Sequence, residues 1–285
     1  MTSIQLRAMK NLLLSALLTS VPLQVGSFFL AQASQAEVVN PVAEAVELNT
    51  NPPEELQMWV KQMDEMGESK RLKPFMRNFD SDFAHEDGLN KRQLKQTIKS
   101  FWKKFDQLSY STSIDSWSQV APGVYSTITT TTIEGQQVDA ITPQKLMSTI
   151  RSEQRIEQGK IVSQAVLEEK SQITSGAKPP TVRINLPQTV KVGEDYYFDV
   201  IVDEPLGDRI LLGAAIEETV NPETYLSPSK FDIQSLATGG LFKIGQAPDQ
   251  PTDQWISALL IQDGGMYLMS QRISVVNSVE TATAK

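Results

Sequence analysis

The chain reads as an α+β protein in two folded parts: an N-terminal cone of three helices on a curved antiparallel sheet, then a C-terminal all-β sandwich of immunoglobulin-like type. Three observations predict this. Apolar residues recur at helical spacing from Leu56 to Phe105, then at strand spacing as far as Thr174. A link, Ser175-Gly176-Ala177-Lys178-Pro179-Pro180, interrupts both patterns. Beyond it come short strand candidates separated by turn residues.

The elements follow in order. Pro53-Glu54-Glu55 is a proline-then-acid helix start, and Leu56, Trp59, Val60 and Met63 share one face behind it. Leu72, Phe75, Met76 and Phe79 suggest a second helix, and residues 80–89 a turn-rich link. Asn90 caps a third helix whose apolar face is Leu94, Ile98, Phe101, Trp102 and Phe105, opposite Lys91, Lys95, Lys99 and Lys103. Residues 108–117 and 124–134 read as strands around Pro122-Gly123. Residues 146–157 and 160–174 form a longer pair around Gln158-Gly159, a hairpin signal. Helices before strands give α+β layers, which would close a cone with one open mouth. Further strands are expected at 181–186, 196–202, 210–215, 240–244, 255–261 and 266–276, a sandwich pattern.

The N-terminus predicts export. Arg7 and Lys10 precede a run with no charge from Asn11 to Ala36, centred on Leu12-Leu13-Leu14-Ser15-Ala16-Leu17-Leu18 and ending in small residues. A basic start, apolar middle and small-x-small exit make a signal peptide, with cleavage after Ala33 or Ala36. An uncleaved anchor is the alternative, although Pro22, Gln24 and Gly26 interrupt the apolar run. No cysteine follows the run, which excludes a bacterial lipid anchor. The expected organisation is a signal peptide at 1–36, a linker at 37–53, the α+β domain at 54–175, the β-sandwich at 176–276 and a flexible tail at 277–285. Periplasm and thylakoid lumen fit such a signal equally. Membrane contact is expected only if the segment is retained.

Composition narrows the function classes. With 40% hydrophobic and 21% charged residues, the chain can bury a sizeable core. It has no cysteine, hence no disulfide or thiolate metal site, and its one histidine, His85, removes a site built from several His and Cys. The net charge of −8, without a basic stripe, opposes binding to nucleic acid or an anionic membrane surface. No Walker loop, dinucleotide-binding glycine pattern, nucleophile elbow, paired-His helix or calcium loop is present, so no cofactor or metal is expected.

A family resemblance rests on three stretches: Phe83-Ala84-His85-Glu86-Asp87-Gly88, Phe101-Trp102-Lys103-Lys104-Phe105, and Ser148-Thr149-Ile150-Arg151-Ser152-Glu153-Gln154-Arg155. With them, residues 54–175 resemble the nuclear-transport-factor-two-like superfamily, which includes SnoaL-type polyketide cyclases. The arrangement with an added β-domain, carrying Leu211-Leu212-Gly213-Ala214-Ala215-Ile216-Glu217-Glu218, is similar to a group of exported cyanobacterial proteins. The resemblance implies a cone lined by an acid–base pair in the enzymes of the superfamily. It does not imply which activity, because that fold hosts isomerases, dehydratases and pure binding proteins.

The candidates for such a pair are His85, Asp87, Asp82, Asp115 and Tyr110. An Asp–His pair can move a proton near neutral pH. The competing reading makes His85-Glu86-Asp87-Gly88 a structural turn. Arg151 and Arg155 alternate with Glu153 and Glu157 on one strand, either as a charged patch for an acidic ligand inside the cone or as an exterior face laced by ion pairs. Trp117 and Tyr125 either join the core or line a cavity. So do the threonines between Thr127 and Thr132, as an exposed strand surface or a polar lining. The functional expectation is an exported, non-enzymatic protein that binds a small apolar molecule or a protein partner. The alternative is a small-molecule isomerase, dehydratase or cyclase using His85 with Asp87 or Asp82. A homodimer through the sheet face is compatible with either.

Overall fold

The computed structural model describes residues 51–278 apart from 139–141, 206, 208, 227, 228, 237 and 238. The signal peptide, most of the linker and nearly all of the C-terminal tail expected above lie outside the described residues.

Helix α1 (Glu54–Glu68) starts where Pro53 ends the extended chain, with Glu54 and Glu55 in the first turn to complement the helix dipole. It buries Leu56 and Val60. The expected second helix is only a single turn, α2 (Leu72–Phe75), followed by a 3-10 turn at Met76–Asn78. The expected link is instead a strand, β1 (Phe79–His85), with Phe79, Phe83 and His85 on its buried face. Helix α3 (Lys91–Trp102) opens with a capping box: Asn90 Oδ1 accepts from Gln93 N at 3.0 Å, and Gln93 Oε1 accepts from Asn90 N at 2.8 Å.

Four long antiparallel strands follow: β2 (Gln107–Ala121), β3 (Val124–Gln136), β4 (Gln144–Glu157) and β5 (Lys160–Ser175). The β4–β5 turn is tight, because Gln158 and Gly159 both adopt positive φ, 50° and 73°. Beyond the link lie β6 (Val182–Asn185), β7 (Thr189–Lys191), β8 (Asp195–Val202), β9 (Leu211–Thr219), α4 (Pro222–Leu226), β10 (Gln234–Leu236), β11 (Gly240–Gln246), β12 (Thr252–Gln262) and β13 (Gly265–Val276).

Pairing overturns the expected fold class. The three-helix cone and the separate immunoglobulin-like sandwich are both absent among the described residues, which are 56% strand and 17% helix. One ten-stranded sheet instead runs through both halves of the chain, in the order β10-β9-β12-β13-β5-β4-β3-β2, with β1 added parallel to β5 and β7 parallel to β13. The joint is β5 against β13, antiparallel from Ser175 opposite Met266 to Lys170 opposite Gln271. An open strand edge seeks a partner, and β13 closes the edge that two independent domains would leave exposed.

A second sheet, β11-β8-β6, packs on one face of β9, β12 and β13 through Phe198, Val200, Leu241, Ile256, Leu260 and Ile273. The opposite face joins Leu259 and Leu268 to Trp102, Phe105, Ile133 and Leu146. Strands β12 and β13 are therefore buried on both sides, which is why Trp255-Ile256-Ser257-Ala258-Leu259-Leu260 is nearly continuous in apolar residues. A third cluster holds α1 over the far end of β3–β5 through Leu56, Phe79, Phe83, Tyr125, Ile156 and Ile161.

Candidate functional site

The face of β2–β5 turned toward the helices is apolar at both ends and polar across its middle. Thr129 and Thr131 of β3, Ser148 and Ser152 of β4, and Gln164 and Ser171 of β5 make a band of hydroxyl and amide groups. The band is internally bonded: Ser148 Oγ and Ser171 Oγ lie 2.7 Å apart, and Thr112 Oγ1 and Thr131 Oγ1 3.0 Å apart. Trp59, Met63, Phe75, Ile98, Phe101 and Trp102 hang over it from the helices. A cavity of about 280 Å³ separates this apolar roof from the polar floor. The threonines on this face thus line a cavity.

Asp64 of α1 reaches the cavity wall and accepts from Thr112 N at 2.9 Å and Thr112 Oγ1 at 2.6 Å. Burial raises its pKa, and the two Thr112 bonds oppose the rise. One turn on, Glu68 accepts from Tyr110 N at 3.2 Å. Both carboxylates thereby cover N–H groups on the outer edge of β2. A groove between α1 and β2 shares Val60, Asp64, Tyr110 and Thr112 with the cavity, so these residues form the wall between the two.

The opposite end of the cavity is built where the sheet forks. Strand β5 gives its first half to β1 and its second half to β13, and Arg272 is the first β13 residue past the last β5 pair. Its side chain is 1% exposed. The Nη1 group donates to Asp87 Oδ1 at 3.0 Å and to Asp253 Oδ2 at 2.6 Å, and Nη2 donates to Asp87 Oδ2 at 2.5 Å. The guanidinium carbon stands 5.7 Å from the Trp255 ring centroid. Tyr225 of α4 donates its hydroxyl to Asp87 Oδ2 at 2.6 Å. Trp255 Nε1 donates to Glu169 Oε2 at 2.9 Å, and Arg272 Nε stands 4.0 Å from the same oxygen.

These contacts shift the pKa values of the cluster in different directions. Burial alone would raise the Asp87 pKa, but the bonds and charge of Arg272 hold it below the usual carboxylate range. Burial drives Glu169 the other way, up, with Arg272 only partly opposing. His85 is pushed down by burial, against the pull of Asp87. Its Nδ1 accepts from Asp87 N at 3.2 Å, so the neutral ring carries its proton on Nε2. Neither that Nε2 nor Glu169 Oε1 has a hydrogen-bond partner among the described residues, and both side chains line the cavity, as does Tyr225.

The predicted candidates divide. His85 lines the cavity, with Asp87 behind it and its carboxylate taken by Arg272 and Tyr225. Tyr110 lines the cavity too, accepting from Trp102 Nε1 at 2.8 Å, and burial raises its pKa. Asp82 is exposed on β1, away from the buried His85 face. Asp115 lies on the outer face, bonded to Thr130 Oγ1 at 2.7 Å and to Arg151 Nε at 3.3 Å. Arg151 also approaches Glu168 at 3.6 Å, and Arg155 pairs with Glu157 at 2.7 Å, so these arginines form an exterior charged face and not a cavity patch. Trp117 and Tyr125 lie tilted against each other, ring centroids 6.3 Å apart, beyond the cavity end, where the Tyr125 hydroxyl meets Glu55. Sequence reasoning missed Asp64, Glu169, Tyr225 and Arg272. The one available signal was Arg272, a charge at the end of the apolar run Met266-Tyr267-Leu268-Met269.

Comparison with known proteins adds little to this geometry. Residues 177–276 match the family model of a domain of unknown function, DUF8623. No curated protein matches the chain. Among solved structures, a protein designated a scytalone dehydratase, from Novosphingobium aromaticivorans, is a weak neighbour of nuclear-transport-factor-two-like fold. It is 10% identical, with a TM-score of 0.33, over 39% of this chain and 79% of that one. The DUF8623 segment contains Arg272, Tyr225, Asp253 and Trp255, whereas His85, Asp87 and Glu169 precede it. The far wall of the cavity is thus assembled from residues on both sides of the segment's start.

Proposed function

We propose that this is an exported protein that binds one small, largely apolar molecule in the cavity between α1, α3 and the sheet. The observation that carries the reading is the cavity itself: about 280 Å³, an aromatic and aliphatic roof, a hydroxyl-lined floor and an unpaired His85 Nε2–H at its inner end. Such a lining removes an apolar body from water while a few polar groups fix its orientation. Binding is favoured over proton-transfer chemistry because both Asp87 oxygens are already engaged, which leaves His85 without a free base beside it. Export rests on the sequence from Arg7 to Ala36, and mature chains beginning at Ser34 or Glu37 would establish it.

Native mass spectrometry of the full chain purified from its own cell envelope tests the binding. A discrete small-molecule adduct is expected. Ile98→Trp, which fills the cavity from α3, should remove the adduct while circular dichroism stays unchanged. Calorimetry with naphthalene-1-methanol supplies an independent probe. No adduct and no heat of binding would overturn the reading.

A further inference from the structure

The cavity is selective in charge as well as size. Its lining contains two carboxylates, Asp64 and Glu169, and no lysine or arginine among the described residues. Arg272, a buried cation, donates from both Nη groups to Asp87 and from one to Asp253, and it stands behind Glu169 without lining the cavity. Three carboxylates, those of Asp87, Asp253 and Glu169, surround this single guanidinium, so the inner end carries more acid than base. Glu169 Oε1 is the acceptor left over, on a side chain that is 13% exposed. The adjoining groove between α1 and β2 repeats the bias with Asp64, Glu65 and Glu68 against Lys61. Acidic groups at one wall and one unpaired acceptor at the opposite end favour a cation in the cavity and disfavour an anion. Aromatic faces from Trp59, Phe75 and Trp102 add the quadrupole attraction that a cation gains over a ring.

We infer that the ligand is a protonated amine on an apolar or aromatic body, with its ammonium hydrogen-bonded to Glu169 Oε1. This rests on the cavity-binding reading and names the ligand's charge class.

Three probes with one carbon skeleton test it: naphthalen-1-ylmethanamine, naphthalene-1-methanol and 1-naphthoic acid, each titrated calorimetrically into the full chain at neutral pH. The amine should bind about ten-fold or more tightly than the alcohol, equivalent to about 1.4 kcal/mol, and the acid should not bind measurably. Glu169→Gln keeps the side-chain shape and removes the charge. It should erase the preference for the amine over the alcohol. Equal binding of amine and alcohol by the wild-type chain overturns the inference and leaves the cavity reading standing. Tight binding of the acid overturns the inference as well. Binding of none of the three overturns the inference, and with no adduct in the native mass spectrum it overturns the cavity reading too.

Discussion

Replacing Arg272 would strand the buried carboxylate of Asp87 and leave Glu169 and the partly exposed Asp253 without their guanidinium. Removing one partner of a buried pair leaves the other unpaired, so Arg272→Met should destabilise the fold by about 3–5 kcal/mol, read as a fall in the urea midpoint. Arg272→Lys should recover little, because a single ammonium cannot span the two Asp87 oxygens as the planar fork does. The same cluster makes stability depend on pH. His85 has a depressed pKa in the folded chain, so above about 6.5 it is neutral in both states and contributes no slope. As pH falls below that, the unfolded chain takes up the proton first and stability declines. Asp87 adds a second loss only when pH falls through its own low folded value. Glu169, shifted upward, works in the opposite sense and gains stability as pH falls. His85→Asn keeps an acceptor for Asp87 N and does not titrate. Its urea midpoint should therefore decline less than the wild-type midpoint between about pH 6.5 and 5. His85 and Asp87 were legible in the sequence as a pair. Their role was not, because it depends on an arginine far along the chain that no local pattern links to them.

Among the elements, α3 and the strands β2 to β5 could be read directly. Asn90 and Gln93 announce the helix start, and Asn90→Ala should cost about 1 kcal/mol in thermal denaturation for the lost cap. The hairpin at Gln158-Gly159 lies where its turn residues place it. Strand β1 was misread, because Asp80-Ser81-Asp82 looks like loop chemistry. Its strand character comes from pairing with β5 and from Phe79 and Phe83 packing beneath α1, both tertiary effects that outweigh propensity. In β11, Gly245 sits opposite Tyr196, whose ring lies across the space a side chain would occupy: an added Cβ would stand 2.4 Å from the ring Cζ. Gly245→Ala should displace that ring and cost about 1–3 kcal/mol, visible as a lower melting temperature.

At the scale of the molecule, the segment 175–180, which reads as a domain boundary, is packed in place. Lys178 N donates to Gly264 O at 2.9 Å, and a Cβ on Gly176 would come within 2.3 Å of that same oxygen. The sheet continues across this point through β5 and β13. The two halves should therefore unfold together, with fluorescence and circular dichroism tracing one coincident transition in urea. Two separated transitions would mean that the halves are independent. The sequence carries the strands, yet strand partners separated by long stretches of chain leave no local trace, and that is where the expected fold class failed.

The middle of the large sheet is its last described strand. Strand β13 stands between β12 and β5, so a ribosome must translate as far as residue 276 before the sheet has its centre. Until then the nascent chain holds an open set of strands and a cavity with its far wall missing. Were the chain exported as proposed, this order of synthesis would postpone compaction until translocation is well under way.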